Sequence, residues 1–162
     1  SLVFGYFFFW TIHADFPPDP TTGPGVFWPV TSAGLLLAAW ALTLLARRCN
    51  RRDSSLGFYG ALTLAALLTV TGAGALMAGP YLTGLDPTSH VYPATVWVLV
   101  LWSLIHLAIG LIMQLYCIAR RFAGRMDAKH DIDIQNVGLY WHFMAITVVV
   151  TVAVIAGFPR VA

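Results

Sequence analysis

Four long apolar runs constrain this chain more than any other feature of its sequence. An α-helix needs ~20 apolar residues to cross the ~30 Å hydrocarbon core of a bilayer. Each run reaches that length, and they cover approximately Val26–Ala46, Gly57–Gly79, Tyr92–Ala119 and Val137–Phe158. We therefore predict four membrane-spanning helices and an all-α integral membrane protein.

The composition supports the same class. Hydrophobic residues make up 59% of the 162 residues and charged residues only 10%, whereas soluble domains contain about 25% charged residues. The net charge of +2 gives no indication of a nucleic-acid partner. We expect residues 1–162 to form a single transmembrane helical domain.

A shorter apolar run, Ser1–Ile12, precedes these four. It is too short to cross a membrane alone, and it has neither an initiator Met nor the charged flank of a signal peptide. We therefore expect Ser1 to lie inside a longer chain, close to the start of a truncated first helix. The expected fold is a bundle of about five transmembrane helices, four complete and the first truncated.

The basic residues predict the orientation of this bundle. Eight of the nine Lys and Arg residues follow either the second or the fourth helix: Arg47, Arg48, Arg51, Arg52, Arg120, Arg121, Arg125 and Lys129. Both groups lie on one side if the helices alternate in direction, and the positive-inside rule makes that side cytoplasmic. The C-terminus is then expected outside.

The four predicted spans contain few side chains that could carry ions, transfer protons or bind metals. None of the four contains an internal Asp, Glu, Lys or Arg, and a transporter usually needs such groups to carry an ion or a proton. Transport by this chain alone is therefore disfavoured. Cys49 and Cys117 lack a CxxC-like spacing, so neither a disulfide framework nor a zinc site is indicated. We expect Cys49 to be an exposed loop thiol and Cys117 to be a packing residue.

Haem ligation is a sharper alternative, because membrane b-type cytochromes hold haem between two His residues on neighbouring helices. Counting from Arg120 places His106 near the midplane, whereas counting from Gln135 places His142 near the cytoplasmic edge. His13 is expected near the opposite surface. Ligands at three depths cannot face one iron, so we favour packing histidines and predict no haem, copper or other metal in this chain.

The last third of the sequence carries a resemblance to a known family. His106 and Gly110 form a His-x-x-x-Gly pattern, Arg120 follows fourteen residues after that His, and "YWHF" stands at Tyr140–Phe143. This arrangement resembles subunit III of haem-copper terminal oxidases, whose sixth and seventh helices carry these motifs. The opening "SLVFGYFFFW" is similar to the start of the family's third helix, so the chain resembles helices three to seven.

The resemblance implies a non-catalytic subunit that binds no haem or copper itself. Its expected partner is the catalytic subunit I, which would hold those cofactors, and it is expected to bind phospholipid and to support proton uptake during oxygen reduction. In some bacteria a five-helix form is fused behind subunit I, and the missing Met favours that arrangement here, in a bacterial inner membrane. The alternatives are a subunit III-like protein of nitric oxide reductases and a small membrane b-type cytochrome.

The chain departs from the family pattern at acidic positions. The family's membrane-embedded Glu aligns with Leu2, the acid before the seventh helix aligns with Gln135, and the Asp after "YWHF" aligns with Ala145. The resemblance therefore implies the scaffold more strongly than any proton chemistry that depends on those acids.

A candidate lipid site lies among residues at the ends of the last two helices. Tyr140, Trp141 and His142 are expected near the headgroups, where Tyr and Trp are enriched. Neighbouring helical residues point about 100° apart, so we expect one of the three to face lipid and another to pack inward. Arg120 and Arg121 form a guanidinium pair suited to phosphate. Ordinary snorkelling is the alternative, and the family match of Arg120 favours the lipid site.

Small residues predict where helices approach each other closely. The residues expected at such contacts are Gly72, Ala75 and Gly79 in "GAGALMAG", and Gly110 in "LAIGLIM". A loosened helix end before Pro80 is the alternative for the first group. His106 is expected to form a helix–helix hydrogen bond or to contact a lipid.

Overall fold

A computed structural model of the protein describes residues 2–13, Phe16 and 23–157. Ser1, the end of the last apolar run at Phe158, and the C-terminus lie outside the described residues. The truncation at Ser1 and the external C-terminus therefore stay predictions.

The described residues form five α-helices: α1 Leu2–Ile12, α2 Phe27–Arg51, α3 Ser55–Leu82, α4 Val91–Phe122 and α5 Ile132–Val152. A π-helical turn, Ala153–Gly157, continues α5. Helices α2 to α5 are long and apolar enough to cross a membrane, whereas α1 is a shorter apolar helix. The predicted all-α membrane fold with four complete spans is confirmed, and the protein is an integral membrane protein.

The helices extend beyond the apolar runs that predicted them. Helix α2 continues through its arginines to Arg51, and α3 continues through Pro80 to Leu82. Cys49 consequently lies on α2 and is half-buried, so the prediction of an exposed loop thiol is wrong. Cys117 is buried in α4, as predicted.

The four spanning helices form a closed ring in chain order. Helix α3 packs between α2 and α4, and α5 packs between α4 and α2, while α1 packs against the outside of α4. Apolar side chains from all four spans meet inside the ring, among them Leu36, Leu62, Leu107 and Met144. Tyr6 of α1 joins this core by stacking edge-on against Phe16 and Tyr92.

Helices α2 and α3 make the closest approach in the ring. A Cβ atom added to Gly72 would lie only 2.8 Å from the side chain of Leu36. The Ser32 hydroxyl on α2 donates a 2.7 Å hydrogen bond to the Gly72 carbonyl. Ala75 is buried along α3, and Gly79 faces Pro24 and Pro29 at the other end of α2. Small residues at this spacing let two backbones approach in a membrane, where packing rather than the hydrophobic effect joins helices.

A buried amide joins three helices inside the ring. Gln114 of α4 donates from Nε2 to the Thr43 hydroxyl of α2 at 3.0 Å. Its Oε1 accepts from the Thr69 hydroxyl of α3 at 3.3 Å. All three side chains are buried. The Thr43 hydroxyl also donates to the Ala39 carbonyl, whereas the single proton of the Thr69 hydroxyl is shared between Gln114 Oε1 and the Ala65 carbonyl. The sequence analysis missed this cluster, because hydropathy alone does not distinguish an inward-facing Gln from an outward-facing one.

Candidate functional site at the arginine-rich end

Both arginine-rich connections lie at the same end of the ring. The Asn50 side chain donates to the Asp127 carbonyl at 2.9 Å, and Arg51 pairs with Asp131 at 3.2 Å. These contacts join the end of α2 to the connection between α4 and α5. The predicted clustering of the basic residues on one side is therefore seen in the fold.

Arg121 is buried and holds the α2–α3 connection. Its guanidinium donates to Asn50 Oδ1, to Asp53 Oδ1 at 3.1 Å and to the Ser55 hydroxyl at 3.1 Å. The Arg121 side chain is only 6% exposed. The sequence analysis placed Arg121 beside Arg120 as a lipid-facing cation, but residues adjacent on a helix point about 100° apart. The structure turns Arg121 inward instead.

Arg120 lies on the outer side of α4 and already has several partners. Its Nε lies 3.3 Å from Asp133 Oδ2, and its Nη1 donates to the Tyr116 hydroxyl at 3.2 Å. Its Nη2 donates to the Arg125 carbonyl, also at 3.2 Å. These contacts occupy much of the guanidinium, although the side chain is still 35% exposed.

The "YWHF" cluster divides between the interior and the surface. Trp141 is 1% exposed and packs against Gly110, so it is not at the lipid surface where the sequence analysis placed it as a candidate. Tyr140 is half-buried and donates its hydroxyl to the His106 carbonyl at 2.8 Å. Gly110 makes room for both rings, because an added Cβ would lie 3.2 Å from Tyr140 and 3.4 Å from Trp141.

The two membrane histidines lie at nearly the same depth, contrary to expectation. The rings of His106 and Phe143 are 6.1 Å apart, and His142 immediately precedes Phe143 on α5. The predicted difference in depth is wrong, because it assumed that Arg120 and Gln135 lie at one level. The hydrogen bond between Tyr140 and His106 aligns α4 and α5 along their lengths differently from that assumption.

The two histidine side chains have hydrogen-bond partners on different helices. His106 donates from Nδ1 to the Trp102 carbonyl of its own helix at 2.8 Å, so its side chain does not bridge helices through this bond. His142 instead accepts from the Trp40 indole of α2 at 3.0 Å. Among the residues described, no group of three His, Cys, Asp or Glu side chains could hold a metal ion.

A cavity of about 330 Å³ opens between α2 and α5 at the arginine-rich end. It is lined by Leu44, Arg47, Arg48, Arg51 and His142. The four α2 residues lie at positions i, i+3, i+4 and i+7, which places them on one helix face. Gly138 of α5 lets this face approach, since an added Cβ would lie 3.6 Å from Leu44 and 3.8 Å from Arg47. The sequence analysis used the arginines only for orientation and did not associate them with His142.

The positions where the resemblance expects acids have apolar or amide side chains in ordinary contacts. Gln135 donates to Asp131 Oδ1, one turn earlier in the chain. Leu2 lines an apolar cavity of about 430 Å³ between α1 and α4, and Ala145 is half-buried on α5.

Comparison with known proteins gives one consistent name. No protein-family model matches the chain. Proteins named cytochrome c oxidase subunit 3 from Lumbricus terrestris, Petromyzon marinus and Triticum aestivum are 25%, 27% and 24% identical to it. The alignments cover 89%, 85% and 89% of this chain.

The chain spans between 57% and 60% of the length of these curated relatives. The similarity extends through most of the chain. It coincides with an all-α architecture containing four spanning helices. Over most of its length, the chain is therefore similar to proteins of the cytochrome c oxidase subunit III family.

Proposed function

We propose that the chain acts as a non-catalytic subunit III, or subunit III-like domain, of a respiratory haem-copper oxidase. The similarity to proteins of that name over 85% to 89% of the chain carries this proposal. Its partner is the catalytic subunit I, in the same polypeptide or in a separate one. The proposed role is to stabilise that subunit, while the haem and copper that reduce oxygen are held there.

Affinity purification from native membranes in a mild detergent tests the partnership. A tag on this chain should recover a haem-containing and copper-containing catalytic subunit, whereas the separated chain should have no haem absorption. A recovered chain that binds haem by itself would instead support the small-cytochrome alternative. Recovery of a nitric oxide reductase, with no oxygen-reducing partner, would support the other alternative.

Removal of the segment tests the proposed supporting role. An assembled catalytic subunit that lacks it should still reduce oxygen at first, and its activity should decay during turnover. Complete loss of both haem insertion and the initial rate, with the catalytic subunit present, would contradict a non-catalytic role.

The arginine-rich end is proposed to face the cytoplasm of a bacterial cell, because basic loops are retained on that side. A single cysteine introduced by Arg125→Cys, in a Cys49→Ser background, places a thiol in the exposed α4–α5 connection. It should react with an impermeant reagent only after the cells are opened. Labelling in sealed cells would reverse the orientation.

Phospholipid binding and support of proton uptake complete the proposal. Arg120, Tyr140 and His142 are the sequence-derived lipid candidates that keep some exposure, whereas Arg121 and Trp141 are buried. Any contribution to proton uptake would have to proceed without acids at Leu2, Gln135 and Ala145. Comparing the rate of decay during turnover with and without added phospholipid tests whether retained lipid supports the oxidase.

A further inference from the structure

The cavity between α2 and α5 has more positive charge than its surroundings neutralise. Arg51 pairs with Asp131 at 3.2 Å, and Arg47 is close enough to be attracted by the same carboxylate. Each other carboxylate described at this end contacts a basic side chain outside the cavity: Asp53 contacts Arg121, Asp127 contacts His130, and Asp133 contacts Arg120. Three guanidinium groups therefore meet one carboxylate.

An unused donor also lies in this cluster. The Nε atom of Arg47 is buried and has no hydrogen-bond partner within the described part of the chain. A buried N–H group normally has a partner, because leaving it without one costs its full desolvation energy. An anion in the cavity that Arg47 lines would supply such a partner.

The hydrogen bond from Trp40 makes His142 a donor as well. An indole N–H can only donate, so Nδ1 of His142 must accept this 3.0 Å bond without a proton of its own. The neutral ring then carries its proton on Nε2. His142 can thus offer an N–H group to the cavity that it lines, beside the guanidinium groups of Arg47 and Arg48.

We propose that this cavity binds the phosphate group of an anionic phospholipid. Arginine suits phosphate because its planar guanidinium can donate two parallel hydrogen bonds. The inference rests on the lipid-binding part of the proposed function, not on membership of an oxidase complex. It moves the principal phosphate contacts from Arg120 and Arg121 to Arg47 and Arg48.

The depth of the cavity favours a lipid over a free phosphate ion. His142 lies ten residues after the start of α5, about 15 Å along the helix. The cavity therefore extends from the charged connections into the apolar part of the bundle, where Leu44 forms part of its wall. Leu139 and Ile146, on either side of His142 in the sequence, are 70% and 68% exposed and offer apolar surface to the acyl chains.

Lipid titration of the purified complex, or of the purified chain, tests the proposal. Phosphatidylglycerol and phosphatidylcholine are added in separate series, and bound lipid is counted by native mass spectrometry. The double variant Arg47→Gln/Arg48→Gln should lower the affinity for phosphatidylglycerol by roughly ten- to a hundredfold. Arg52→Gln/Arg125→Gln is the matched control, because it removes the same charge from exposed positions outside the cavity.

Trp40→Phe gives a second variant that leaves every charge in place. It removes the bond that fixes His142, and we expect a several-fold loss of phosphatidylglycerol affinity. Thermal melting and gel filtration of each variant show whether the bundle is still folded. Recovery of the catalytic subunit is measured in the same samples, so failure of lipid binding is separated from failure of the oxidase assignment.

Each result of the lipid titration either supports or overturns the proposed site. Selective loss of phosphatidylglycerol in the cavity variants, with no competition from inorganic phosphate, supports the lipid site. Displacement of the lipid by inorganic phosphate would assign the cavity to a free anion and overturn the lipid assignment. Equal losses in the matched control, or equal binding of phosphatidylcholine, would reduce the effect to general surface charge and overturn the site.

Discussion

The guanidinium of Arg121 lies over the ring of Phe58, 5.2 Å from its centroid. This contact joins the last turn of α4 to the first turn of α3. The same guanidinium binds Asn50 at the end of α2, and Asn50 in turn donates to the Asp127 carbonyl. The buried guanidinium of Arg121 therefore links both the α2–α3 connection and the α4–α5 connection to the helix ring.

Replacing Arg121 should destabilise the bundle more than replacing any exposed arginine. Arg121→Met keeps much of the side-chain length but leaves the buried Asn50 oxygen without its donor, which costs about 1–3 kcal/mol. Arg121→Lys should restore only part of this loss, because one ammonium group cannot reproduce the planar set of contacts. Thermal unfolding in detergent provides the measurement. Arg125→Met is the control, and an equal loss in both variants would refute a special role for Arg121.

Gly72→Ala should weaken the contact between α2 and α3. The new Cβ would lie 2.8 Å from Leu36, and overpacking of this kind typically costs about 1–3 kcal/mol. Gly74→Ala is the matched control, because nothing lies within 4 Å of its added Cβ. It should be neutral or slightly stabilising. Leu36→Ala destabilises the core by itself, but Gly72→Ala should cost less in a Leu36→Ala background than in the wild type. An equal cost in both backgrounds would locate the strain elsewhere.

Gln114→Leu should cost little despite the central position of this amide. The Thr43 and Thr69 hydroxyls keep their bonds to carbonyls of their own helices, so neither is left without a partner. Interhelical side-chain hydrogen bonds in membranes contribute about 0.6 kcal/mol on average and up to about 1.7. A double-mutant cycle with Thr43→Val measures the coupling. A cost far above this range would show that the cluster does more than join helices.

Acid should loosen the connection between α4 and α5 through Asp127. The backbone N–H groups of His130 and Lys129 bind its carboxylate and hold its pKa below the ordinary value of 3.8. A lowered pKa means that the carboxylate stabilises this turn above pH 3.8. That stability is lost as the pH falls further, through the value in the folded protein. NMR titration of the two amides downward from neutral pH should show the change, and Asp127→Asn should abolish it.

The sequence predicts the elements of this fold better than the directions of its side chains. Apolar runs locate the four spans because a bilayer demands a minimum length of helix. The same runs do not distinguish the exposed Arg120 from the buried Arg121, because the two residues are adjacent and both are basic. Only the packing of α4 beside α3 buries one of them and leaves the other at the surface. Likewise, residue counting misplaced His142 relative to His106, because the register of two antiparallel helices depends on contacts such as that of Tyr140. The cavity beside Arg47 could not be predicted either, because it forms only when the helices are aligned in this way.

The length of α4 relates the charged end of the protein to the thickness of its membrane. Its 32 residues extend about 48 Å, whereas the hydrocarbon core is ~30 Å thick. The helix must therefore tilt or project into the headgroups, and Arg121 ties the α2–α3 connection to its projecting end. A thicker bilayer would draw these arginines toward the acyl chains, and a thinner one would leave them in water. Bilayer thickness thus sets the hydration of the arginine-rich end, and with it how strongly salt screens its charges.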